Sequence, residues 1–490
     1  MTSDEMTLFE LDIERFHALL RSGETTCAAL VDYYLARIEK FDKQINSVIC
    51  LNPNARKEAT EKDVLYKAKG LQGELFGVPV LLKDCINTAD MPTTSASLAL
   101  KNLQPEEDAL VVKKLRAAGA IILAKVNLSE LACSGETLGS LIGQTRNPYD
   151  PGYTVGGSSG GTGAGLTADF GLVGLGTDAM NSVRSPSSAC SLVGIRPSRG
   201  LVGRSGSLPH AFTHDTIGVL ARSVKDVATT LDVICGYDSE DPITAWGAKD
   251  CGGYKAALDK VSGTSLKGWR LGVVRSLIGK SEASAEVTAL TEVALNDLAK
   301  LGAYVEDFAY QIDMDELQNE VNVQFHEQDR DISTYLEKYA HQTGIHNLTE
   351  LVESGKVSQW IINSRLQKSI GEIGRLEEYH RRLVNIQALR EKIADTMVKQ
   401  QLDALIYPMQ QQLVAKIGCK QLGRNGLLCA AIGFPALVVP VGFSAGTKTA
   451  PLGVPVGIEF VGWPFTEKKL FELAFTYEQA THHRKSPILK

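Results

Sequence analysis

The sequence predicts an α/β protein: a large sheet covered by helices on both faces. Three observations predict it. Runs of strand length alternate with amphipathic helical patterns along most of the chain. Those runs are short and apolar, as buried strands are. One long charged stretch, from about residue 313 to 400, is helical in pattern with little strand character, and reads as a helical layer inserted between two parts of the sheet.

Taken in order, the chain opens with helices. Leu30, Val31, Tyr34, Leu35 and Ile38 follow helical spacing behind Thr26, a natural N-cap. "FGVPVLLKDCIN" then supplies an apolar strand ending at Lys83, and from Asp108 a helix closes at Gly119 ahead of the strand "AIILAKV". A glycine-rich segment is followed by the strand "DFGLVGLGTD", by the helix "SVKDVATTLDVICG" with Ser223 and Asp226 in capping-box positions, and by the strand "WRLGVV". Val287, Leu290, Ala294, Leu298 and Leu301 form one face of a helix that stops at Gly302 and leads to "AYVEDF". The longest apolar run, Leu427 to Phe443, is broken by Gly433, Pro435 and Pro440, which makes it a buried helix and strand rather than a membrane span. No internal repeat or linker marks a boundary, so one large domain is expected.

Bulk properties exclude several classes. The 490 residues carry a formal net charge of -6, which argues against a general nucleic-acid binder. Nine scattered cysteines form no C-x-x-C pair and no cluster with histidine, which points to a reducing compartment and to buried thiols. The N-terminal segment is acidic and lacks the basic and apolar regions of a secretory signal, so it is read as part of the mature protein.

"YTVGGSSGGTGAG", Tyr153 to Gly165, places six glycines and two adjacent serines in thirteen residues. Ordered glycine is entropically costly and is tolerated where a side chain would not fit or φ must be positive. A linker or turn would explain it blandly; a phosphate cradle or a serine-presenting loop would explain it functionally. A P-loop needs a lysine after its glycines, and none lies between Lys125 and Lys225. The Rossmann register is absent, and no G-x-S-x-G surrounds Ser182. A histidine base, His210 or His214 in "GSLPHAFTHDT", stays open at this level. Lys83 at a strand end would ordinarily be solvated, but a lysine in an apolar setting loses its charge and can act as a base.

Together, "GVPVLLKD", "GGSSGGTGAG" and "GLGTDAMNSVRSPSSACSLVGIRPSRGLV" resemble the amidase signature family, with further matches in "GQTRNPYDP", "DTIGVLARSVKDVA" and the C-terminal "GVPVGIEFVGWPFTEKKLFELAFTYEQATHHR". The resemblance runs over nearly the whole chain. It implies a large central mixed sheet covered by helices on both faces, with a helical subregion. It also implies a Ser-cisSer-Lys triad: Ser182 as nucleophile, Ser158 as bridging serine on a cis peptide with Gly157, and Lys83 as base. Backbone N–H groups of Ala179, Met180, Asn181 and Ser182 would form the oxyanion hole. The commoner family form is "GTDTGGS", so Ala179, Met180 and Asn181 depart from it and bear on substrate preference. Asp178 and Arg184 are expected to hold this turn as a structural pair, and Cys190 to be core packing.

The resulting expectation is one domain over 1–490: N-terminal helices to 70, a signature core over about 71–240, a pocket-shaping helical layer over about 313–400, and the rest of the sheet with a closing helix over 401–490. The resemblance implies an amidase acting on a small-molecule amide through an acyl-enzyme, with no metal or organic cofactor; the net charge, the broken apolar run and the scattered cysteines add the expectation of no nucleic-acid or membrane partner and a cytoplasmic location. A homodimer is left open. The alternatives are an esterase or acyl-transferring variant, the glutaminase subunit of a tRNA-dependent amidotransferase, and a non-catalytic binding protein on the same fold.

Overall fold

The computed structural model describes residues 3–371 and 376–489. Residues 1–2 of the expected N-terminal helices, 372–375 of the helical layer and residue 490 lie outside the described residues. Thirteen strands are β1 (Val48–Leu51), β2 (Pro79–Lys83), β3 (Ile121–Val126), β4 (Leu138–Gly139), β5 (Gly143–Gln144), β6 (Val173–Asp178), β7 (Val193–Arg196), β8 (Thr216–Ala221), β9 (Arg270–Val273), β10 (Tyr304–Asp307), β11 (Ala404–Pro408), β12 (Ala436–Phe443) and β13 (Pro455–Gly462). Eleven of them form one sheet in the order β1-β3-β2-β6-β8-β7-β12-β13-β11-β9-β10, and β4 pairs with β5 alone.

The sheet is mixed. β2 runs parallel to both β3 and β6, and β9 parallel to β10 and β11, while the other neighbours are antiparallel. The central strands β2, β3, β6, β7 and β8 are buried almost throughout, which is why their sequences are apolar rather than alternating. Helix Gly160–Thr167 packs on the first strands, helix Cys27–Ile45 packs on helix Ala55–Lys69, and Val224–Ile234, Ala285–Lys300 and Glu467–Thr481 cover other strands.

Local chemistry explains most boundaries. Thr26 caps Cys27–Ile45 by accepting the Ala29 N–H at 3.0 Å. Among the described residues, 313–400 form helices joined by short turns, from Met314–Glu320 to Leu376–Lys399, with no strand. The 427–443 run divides into helix Leu427–Ile432, a left-handed Gly433 and β12. Among the described residues no helix is long and apolar enough to cross a membrane.

Three expectations are corrected. The N-terminal seventy residues are not all helical: Val48–Leu51 forms the edge strand β1, half-buried and without period-two alternation, so it carries no pattern to read. The helix expected from Asp108 runs instead over Leu110–Ala117, and the Asp108 carboxylate accepts the Ala89 N–H. The capping box is half made. Ser223 accepts the Asp226 N–H at 3.1 Å, but the Asp226 carboxylate turns away to accept the Ile13 N–H at 3.0 Å, tying an N-terminal helix to the sheet cover.

Candidate active site

The parallel pairing of β2 with β6 brings their C-terminal ends together, the position at which open α/β sheets bind ligands. Lys83 is the last residue of β2, and Thr177 and Asp178 are the last of β6. The Lys83 amine therefore reaches across the C-terminal ends of these strands. Nζ donates to Ser158 Oγ at 2.7 Å and to Thr177 Oγ1 at 2.7 Å. Lys83 is fully buried, and that burial pushes its pKa below the ordinary lysine value, against the pull of Cys85, Asp178 and Asp215.

Ser158 stands just before helix Gly160–Thr167, and the Gly157–Ser158 peptide is cis. The glycines around it have two separate causes. Gly156 has φ +69°, a region that side chains disfavour. Gly161 sits so close to the Asn127 backbone that an added Cβ would overlap its N and O atoms, and Gly161 N–H donates to Asn127 O at 2.9 Å. The segment is therefore an ordered, buried helix entrance and not a linker.

Ser182 follows β6 by four residues, half-buried at the entrance to helix Arg184–Ala189. Ser159 N–H donates to Ser182 O at 3.0 Å, tying the two serine segments together, and Ser182 Oγ has no hydrogen-bond partner among the described residues. Ala179, Met180 and Asn181 form the turn before it. The N–H groups of Met180, Asn181 and Ser182 meet no acceptor among the described residues, as an oxyanion site requires.

The turn is held from behind by charge. Asp178 Oδ2 accepts the Val183 N–H at 3.0 Å and Arg184 Nε at 3.1 Å, while Oδ1 accepts Arg184 Nη2 at 3.1 Å and Arg196 Nη1 at 3.3 Å. Arg184 also meets Glu459 Oε1 at 2.7 Å and donates to Met180 O. Burial alone would raise the Asp178 pKa, but Arg184 and Arg196 outweigh it and hold the carboxyl at about 2. The pair anticipated as structural is thus a buried network of four charged groups.

Neither histidine is placed as a base. His210 lies 3.1 Å from Gln328 Nε2 and 3.8 Å from Cys133 Sγ, and burial lowers it to about 3. His214 Nε2 accepts the Val323 N–H at 3.3 Å, and burial lowers it to about 4. Among the described residues neither imidazole bonds to Ser158 or Ser182. Cys190 is fully buried and burial raises its thiol, as core packing demands.

Sequence reasoning passed over Thr177, the second oxygen on Lys83, and the reach of Arg196 and Glu459 to the turn. Thr177 was adjacent to Asp178 in "GTD" and could have been found there; Glu459 lies 275 residues from Arg184 and gave no local signal.

The Amidase family model matches residues 29–471. A chloroplastic/mitochondrial glutamyl-tRNA(Gln) amidotransferase subunit from Oryza sativa subsp. indica is 32% identical over 479 residues, covering 94% of this chain and 87% of that protein. The structure of native peptide amidase from Stenotrophomonas maltophilia superposes with a TM-score of 0.87 at 31% identity, over 98% of this chain and 99% of that one. An amidase family protein from Bacillus anthracis str. Ames gives a TM-score of 0.87 at 29% identity, over 99% and 94% of the two chains.

Proposed function

This chain belongs to the Amidase family, enzymes that cleave carbon–nitrogen bonds of carboxylic amides, and from that premise we propose that Lys83, Ser158 and Ser182 carry the reaction. The observation that carries the reading is the buried contact of Lys83 Nζ with Ser158 Oγ at 2.7 Å, at the strand edge where the Ser182 turn begins. A serine hydroxyl becomes a competent nucleophile when a base takes its proton. Ser182 Oγ attacks the amide carbonyl, its proton passes to Ser158 Oγ, and the Ser158 proton passes to neutral Lys83. The oxyanion lies against the N–H groups of the 179–182 turn, where a single such donor is worth about 3–4 kcal/mol. The proton returns by the same route to the leaving nitrogen, the C–N bond breaks, and ammonia or an amine departs. Water attacks the acyl-Ser182 ester with Lys83 again as base, releasing the carboxylic acid.

Ser182→Ala abolishes turnover and labelling by fluorophosphonate reagents while leaving the fold intact. Labelling that persists in the variant rules Ser182 out. Intact mass after incubation with amides and esters reports the acyl group carried.

A second reading, the glutaminase subunit of a tRNA-dependent amidotransferase, is favoured by the 32% identity to the rice amidotransferase protein. Glutamine turnover by the isolated chain, compared with simple aryl amides, separates it from a stand-alone amidase. The nine free thiols support a cytoplasmic, reducing location, and light scattering of the purified chain tests a homodimer.

A further inference from the structure

Beside the nucleophile turn stands a cationic wall that the proton relay does not use. Two cavities, of about 600 and 1030 Å³, meet at Arg365, Lys420 and Arg424. The larger reaches Met180 and Asn181 of the turn, and the smaller is bounded further by Glu136 and Lys368. Four cations thus face one carboxylate around the smaller cavity.

The wall is built close to the reacting groups. The Arg424 guanidinium lies against Gly135, where an added Cβ would collide with it. Gly135 packs in turn on Gly157, whose added Cβ would stand 2.7 Å from the Gly135 carbonyl carbon and 3.0 Å from its Cα. One glycine's thickness therefore separates Arg424 from the peptide that precedes Ser158. Arg424 Nη2 bonds Glu136 Oε1 at 2.6 Å. Arg365 lies over the Phe325 ring at 5.6 Å and pairs with no carboxylate among the described residues. Burial pushes the Arg424 guanidinium below its ordinary value; Glu136 pulls the other way, and the nearby Arg365 charge adds to the depression.

Crowded, partly desolvated like charges are costly unless an anion joins them. The planar guanidinium fork is matched to a carboxylate. The acids of the larger cavity belong to another element: Asp313 caps helix Met314–Glu320, accepting the N–H groups of Asp315 and Glu316. We propose that Arg424 and Arg365 form an anion subsite, so that the preferred amide carries a carboxylate a few bonds from its scissile carbonyl. This assignment rests on Ser182 as the nucleophile.

The test uses the purified full chain and matched pairs: malonamate, succinamate and glutaramate against propionamide, butyramide and valeramide. For at least one pair the anionic member has the higher kcat/KM, by about tenfold to a hundredfold. Arg424→Gln and Arg365→Gln each bring that ratio toward one, chiefly through KM, and Arg424→Lys recovers part of it. Added salt lowers the rate on the anion more than on its neutral partner. Binding is read separately by calorimetry on Ser182→Ala, which takes up the preferred anion and not its neutral partner. Ratios at or below one for all three pairs overturn the subsite, as does a ratio unmoved in both glutamine variants. Should Ser182→Ala still turn over amides, the nucleophile assignment fails, and the calorimetric comparison alone then decides the subsite.

Discussion

Asp178→Asn removes one negative charge from the network behind the Ser182 turn and adds almost no volume. Arg184 keeps Glu459, but Arg196 is left with the carbonyls of Asp178 and His214, and all of these groups are fully buried. Removing one partner of a buried ion pair typically costs about 3–5 kcal/mol, because the other charge stays behind in low dielectric. The pKa gives an independent scale: a carboxyl held at about 2 instead of its ordinary 3.8 corresponds to ~2.5 kcal/mol. That contribution is present above pH ~4 and is lost as pH falls through the folded-state value near 2, since the depressed pKa means the unfolded chain binds the proton first. For 490 residues the unfolding entropy is about 1 kcal/mol/K, so the variant melts about 3–5 °C lower in a scan at fixed rate. Function suffers as well. The Asn amide cannot accept the Val183 and Arg184 N–H groups through its nitrogen, so the turn that aims Ser182 loosens and kcat falls by at least about tenfold. A variant that melts within about 1 °C of wild type and keeps wild-type kcat/KM would show that this network neither supports the fold nor aims the turn.

Lys83→Ala depresses amide hydrolysis by about 10²–10⁴ and that of an activated ester with the same acyl group far less, because an amine must be protonated as it leaves. The proposed relay needs Lys83 neutral, and burial lowers its pKa, so wild-type kcat/KM rises with pH along a limb that vanishes in the variant; wild-type amide turnover in Lys83→Ala sinks the relay. Gly161→Ala drives a methyl into the Asn127 backbone and is expected to cost at least about 1–3 kcal/mol, seen as loss of soluble, active protein; a normal melting curve contradicts the packing argument. Burial raises Asp226 to about 7 and Glu478 to about 8, so the folded state holds protons that the unfolded chain has lost. Stability from these groups is full below pH ~4 and declines as pH rises toward 8, by at most about 1.4 kcal/mol per pH unit for each proton. Melting temperatures of wild type and Glu478→Gln across pH 5–9 check this, the variant showing the flatter profile.

Much of what depends on neighbours along the chain was legible before any fold was known. Apolar runs around Lys83 and Asp178 marked buried strands because a strand covered on both faces has no polar side to show. Thr26 and Ser223 marked helix starts because a cap bonds only three residues ahead. The glycine-serine segment, with Ser182 24 positions after Ser158, carried the family resemblance without any knowledge of the sheet. The rest waited on the three-dimensional arrangement. The 2.7 Å contact of Lys83 with Ser158 depends on β2 lying parallel beside β6, and pairing between strands separated by ninety or so residues leaves no periodic trace. His210 and His214 could be set aside only when their ring nitrogens were seen facing Gln328, Cys133 and the backbone at Val323. β1 stayed illegible because a half-buried edge strand of four residues needs no pattern of its own; its backbone bonds to β3 define it. Asp226 looked like half of a capping box and instead holds Ile13, since a buried carboxylate goes to whichever unpaired N–H the fold delivers. Charge networks and close glycine contacts are sums over three-dimensional neighbours, and for that reason Arg424 over Gly135 and Glu459 behind Arg184 emerged only with the assembled sheet.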